Sequence, residues 1–121
     1  MLDTTPLTAA VDRFADRLRA APQSRLQRGA AAEGLALARE LSVRAQRVEE
    51  PGAEPRIMPD TGVFAVADQL TVAGHDLAQA LETACAPVRE TETGTGTAPS
   101  VEAGLDEAVR LVKAAAARAG V

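Results

Sequence analysis

The sequence has no tryptophan and no tyrosine, and only two phenylalanines in 121 residues. β-Branched and aromatic runs are almost absent, so strands are disfavoured. There is one cysteine, which excludes an internal disulfide, and one histidine. No stretch approaches the ~18–20 uninterrupted apolar residues of a membrane span. Met1–Pro6 shows neither a basic n-region nor an apolar h-region, so the expected location is a reducing cytoplasm. No Gly-x-Gly-x-x-Gly or Walker pattern is present. The Gly-Thr repeat at 94–97 lacks the strand and the lysine of a phosphate cradle. His75 has no second histidine to join it in a carboxylate–histidine metal site. Cys85 has no second ligand at metal spacing and reads as a small buried hydrophobe. With no Ser-His-Asp or Cys-His set to propose, the expectation is a non-enzyme without cofactor or metal.

What the sequence does have is alanine, 27 residues by count. Alanine is the best helix former and fills little volume. Hydrophobic residues at 46% and charged residues at 25% suit a folded domain, read as one over 1–121. The net charge of −4 gives no general attraction for a polyanion. It is unevenly spread: residues 1–48 carry +3 and residues 49–121 carry −7. Basic and acidic halves can attract within one bundle or between copies. Twelve of the thirteen cations are arginine, which with the alanine suggests a bacterial, high-GC source.

Four amphipathic stripes follow one another. Thr5-Pro6 opens the first helix, with Leu7, Val11, Phe14 and Leu18 spaced 4, 3 and 4, and Pro22 closes it. Ser24 caps a second helix running to about Glu49, with a wide apolar arc through Leu26, Leu35, Leu37 and Leu41. Gly29 and Gly34 on it allow close approach. Residues 51–60, with three prolines, read as a loop tacked down by Ile57 and Met58. Asp60 or Thr61 caps a third helix to Ala86, whose seam Val63, Ala67, Leu70, Gly74, Leu77, Leu81 and Ala84 repeats over three heptads. Residues 88–99 read as a linker. Ser100 caps the last helix, with Val101, Leu105, Ala108, Val112 and Ala115 on its seam. The expected fold is all-α, an antiparallel four-helix bundle with long central helices 2 and 3 and shorter helices 1 and 4. A short first helix leaves part of the second uncovered, and a second copy is the simplest cover.

Two short patterns bear on function. Leu37-Ala38-Arg39-Glu40-Leu41-Ser42-Val43-Arg44-Ala45-Gln46-Arg47-Val48 resembles the helix-turn-helix segment of bacterial DNA-binding regulators. Ala38 matches the helix crossing, and Leu41, Val43 and Val48 match the buried positions. The resemblance implies a DNA-binding regulator over about 37–50, a turn at Ser42, and Arg44, Gln46 and Arg47 facing the major groove. Gly74-His75-Asp76-Leu77 resembles the phosphoacceptor helix of histidine phosphotransfer bundles, which implies His75 as acceptor. Arg25, Arg28, Arg39 and Arg47 form a basic stripe that could meet Asp68, Asp76 and Glu82 of another copy. The leading expectation is a small non-enzymatic interaction or regulatory protein, a homodimer or a binder of another protein, with no membrane role. Nucleic acid is the less favoured partner. Leu35, Leu37, Leu41, Gly74, Leu77 and Leu81 are the expected association residues.

Overall fold

The computed structural model describes residues 2–85 and 97–121, with side chains at 2–85 and 101–121. Among them there are helices and no strands. Helix α1 spans Thr5–Ala20, α2 Gln23–Arg25, α3 Ala31–Glu49, α4 Val66–Cys85 and α5 Thr97–Ala119. Their stripes meet in one core whose largest fully buried side chains include Leu7, Val11, Phe14, Leu41, Leu70, Leu77 and Val112. No described helix is long and apolar enough to cross a membrane.

Thr4, not Thr5, precedes the first helical residue. Its hydroxyl donates to Glu82 across the bundle, and the Thr5 amide is held by Asp3 Oδ1 at 3.0 Å. The Thr5 hydroxyl, and then that amide, hold the Asp3 carboxyl below its ordinary pKa. Ala21 is extended ahead of Pro22, which ends α1 as expected.

The expected second helix is broken. A kink within Leu26–Ala30 separates α2 from α3, and Gly29 in it has φ +149°. That conformation is nearly closed to residues with a Cβ. Gly29 is therefore a kink and has open space where a Cβ would stand. Gly34 is the close-approach glycine: a Cβ there would lie 2.8 Å from Val66 Cγ1 and 2.9 Å from Leu18 Cδ1.

The helix lengths and directions also differ from expectation. α5 is the longest at 23 residues, and it already includes Thr97, so neither a linker to 99 nor a cap at Ser100 is present. The linker expected at 88–96, and the third helix's end at Ala86, lie outside the described residues. Gly34 lies against Val66, Ala45 and Gln46 share a cavity with Asp76, and Val48 faces Ala80 and Thr83. Helices α3 and α4 thus run parallel. α1 opposes α4, since Thr4 reaches Glu82 and Arg19 reaches Asp68. α5 opposes α3, through Arg44–Glu107 and Arg118–Glu33. α1 and α5 are parallel neighbours. The all-antiparallel arrangement is corrected by these pairings.

The physical reason is the connection over residues 50–65. Extended chain covers up to about 3.3 Å per residue, so it can retrace α3, about 28 Å long at 1.5 Å per residue. It does so as a strap along the outside of the α3–α4 groove. Helix α3 is covered by α4 and α5, while α1 packs on α4 and α5 and barely meets α3. The apolar face expected to be left open is closed by α5.

Candidate functional site

The six expected association residues lie inside one chain. Leu35, Leu37, Leu41, Gly74, Leu77 and Leu81 are all buried in the chain's own core. They offer no surface to a second copy. Gly74 has a local reason to be there: a Cβ on it would lie 2.6 and 2.7 Å from the two Val11 methyls. It is the point where α1 crosses α4.

The turn implied by the helix-turn-helix resemblance is not formed. Residues 31–49 are one helix, continuous through Ser42. Arg44 stands half-buried between α3 and α5, its Nε 2.7 Å from Glu40 and its Nη2 3.3 Å from Glu107. Burial works against its charge, but the two carboxylates outweigh it and hold the guanidinium above its ordinary pKa. Of these two partners, Glu107 lies 63 residues away in the sequence. Gln46 is bound to Ser42 and to the Arg56 backbone. Only Arg47 of the three expected DNA contacts is exposed without a described bond.

His75 is exposed, and its Nε2 lies 2.9 Å from Asp12 Oδ1. A carboxylate at that nitrogen repels an incoming phosphoryl group. Cys85 is half-buried at the margin of the core. Among the described residues no group of three His, Cys, Asp or Glu side chains could hold a metal.

The basic stripe is divided among local tasks. Arg39 Nε donates to the Met58 carbonyl at 2.8 Å, and Arg25 donates to the Gly120 carbonyl. Arg28 and Arg47 are exposed. Of the acids set against that stripe, Asp68 holds Arg19 at 2.9 Å and raises its pKa, and Glu82 accepts from Thr4.

Two surfaces that the sequence did not single out remain. The first lies between α1 and α5. A cavity of about 440 Å³ is floored by Ala10, Phe14, Val112 and Ala116 and flanked by Arg13, Arg17 and Lys113. Asp12 reaches His75 on α4, and Asp16 pairs with Arg19 within α1. No ion pair among the described residues uses Arg13, Arg17 or Lys113. On the same outer strip of α5, Glu102 and Asp106 are exposed and are equally without a described ion pair. The strip is acidic at one end and basic at the other. The i,i+4 pair Arg13–Arg17 was legible; its meeting with Lys113 needed the fold.

The second surface is the α3–α4 groove under the strap. Gln46, Arg39 and Gln69 hold the backbone of Arg56, Met58 and Pro59. Ile57, in the lining of that groove, is 62% exposed; Phe64 before α4 and Val72 on it are exposed as well. Compared with known protein families, curated proteins and solved structures, the chain matches none.

Proposed function

We propose that this chain is a non-enzymatic interaction module of the cytoplasm that works as a weak homodimer through its α1–α5 face. The observation that carries this reading is the division of charge along that face. Lys113 and Asp106 are seven residues apart on α5, about 10.5 Å along the axis. A two-fold axis between them sets each Lys113 over the other copy's Asp106 and brings Arg13 toward the other copy's Glu102. Small residues beside Lys113, among them Ala116 and Ala117, let the backbones approach. A C2 contact of this kind is self-complementary.

The size of the face sets the strength. Two helices about 10 Å wide over about 24 Å give roughly 500 Å² per copy. Stable complexes bury about 800 Å² per partner, so the dimer belongs in the micromolar range or weaker. The test is light scattering from 10 µM to 1 mM. The mass should rise with concentration from 12.5 kDa toward twice that value. Asp106→Lys or Lys113→Asp alone should weaken association, and the pair together should restore it. A monomer throughout, or association indifferent to both charges, removes the proposal.

A further inference from the structure

We infer that the α3–α4 groove is a reader of extended peptide backbone, occupied here by the chain's own strap, and that the partner it fits is an extended segment with a main-chain N–H where the strap has Pro59. This does not depend on the dimer, which uses another face.

The inference starts from how the strap is held. Its grip is on main-chain atoms. The Gln46 amide brackets Arg56 from both sides: Nε2 donates to the Arg56 carbonyl at 2.8 Å, and the Arg56 amide donates to Oε1 at 2.8 Å. This is the two-bond exchange that paired strands make. Arg39 Nε takes the Met58 carbonyl, and Gln69 Nε2 takes the Pro59 carbonyl at 2.8 Å. The side chains at the gripped residues contribute less, since Arg56, Ile57 and Pro59 are exposed, while Pro55, Met58 and Val63 are half-buried. A site that holds backbone tolerates many sequences.

The strap is an imperfect occupant. Gln69 Nε2 holds the Pro59 carbonyl as Gln46 Nε2 holds that of Arg56, but proline has no N–H to complete a two-bond exchange. Gln69 Oε1 is buried without a hydrogen-bond partner. A buried acceptor left unmade is costly, and a residue with an N–H at that place removes the cost. There is also room to extend. Beside the strap cavity, lined by Ser42, Gln46, Glu49 and Asp76, a separate cavity of about 390 Å³ along Val48, Gln79 and Thr83 shares Glu49 with it and has no strap residue in its lining.

The tethered strap competes at an effective concentration of millimolar order, so binding in trans is weak unless the competitor is better matched. The probe is a fluorescein-labelled peptide spanning residues 54–61, made with Pro59→Ala and with proline, and titrated into the full chain by anisotropy. The alanine peptide should bind about tenfold more tightly, which is 1.4 kcal/mol at 25 °C. Gln69→Leu, or Gln69→Met should the first fail to fold, should erase that preference while circular dichroism stays helical. Met58→Ser, which loosens the strap, should strengthen both peptides. Equal binding of the two peptides to the wild-type chain overturns the inference. So does the absence of binding at 1 mM to the Met58→Ser chain.

Discussion

Gly74→Ala should destabilise the fold although it improves helix propensity. In an exposed helix interior the change gains about 1 kcal/mol. Here the new Cβ would meet Val11 Cγ2 at 2.6 Å, Cγ1 at 2.7 Å and Cβ at 3.0 Å. Carbon atoms at rest sit about 3.5–4.0 Å apart, so α1 and α4 would have to separate by roughly 1 Å. Rotating Val11 does not relieve this. Both methyls are close, the Cβ is fixed to the backbone, and a valine in a helix has one strongly preferred χ1. Val11 is fully buried, so its methyls have nowhere to go. Overpacking costs about 1–3 kcal/mol, and a contact with a fixed Cβ belongs at the upper end. The net loss is about 1–2 kcal/mol. At roughly 3–6 °C per kcal/mol for a chain of this length, Tm should fall by about 3–12 °C. The assay is thermal and urea unfolding of four chains: wild type, Gly74→Ala, Val11→Ala and the double variant. Val11→Ala alone should cost about 2 kcal/mol. In the double variant the new methyl occupies part of the vacated space, giving a coupling of about 1 kcal/mol or more. A Gly74→Ala chain that melts above wild type, or strict additivity, would refute the close crossing.

Two other glycines separate propensity from packing. Gly104→Ala, inside α5 with only Leu81 Cδ2 at 3.8 Å, should stabilise by about 0.5–1 kcal/mol in the same unfolding assay. Gly29→Ala meets nothing within 4 Å but must hold φ +149°, so it should lose about 1 kcal/mol or more through backbone strain alone.

The stripes that build the core were readable residue by residue. Leu7, Val11, Phe14 and Leu18, and Leu70, Gly74, Leu77 and Leu81, recur at helical spacing, and each is buried. Period carries the identity of a buried face because burial is decided locally by which side of a helix is apolar. What covers that face is decided by partners distant in sequence. Arg44 read as a DNA contact because its partner Glu107 was invisible from its own segment. Gly29 and Gly34 looked alike because composition does not report φ. The association residues were misplaced for the same reason: a seam that is rich in leucine reads equally well against a second copy or against α5.

The strap ties the wrong direction of α4 to the misread helix-turn-helix segment. A connection of a few residues would force α3 and α4 into an antiparallel pair, and α3 would then need no polar side chains aimed at passing chain. A connection long enough to retrace the helix lays carbonyls along its path, and those turned onto the helices and away from water need a donor. Arg39 and Gln46 supply two of these from α3, and Gln69 supplies a third from α4. Polar, long side chains at seven-residue spacing beside an apolar seam are also what a recognition helix presents to a major groove. Both tasks ask for donors on one exposed edge of a helix, so residue type alone does not separate them. The three prolines within 51–60 do, since they keep that segment extended and unable to join either helix. Once a 28 Å return path is granted to the prolines, the donors of α3 face the chain's own backbone.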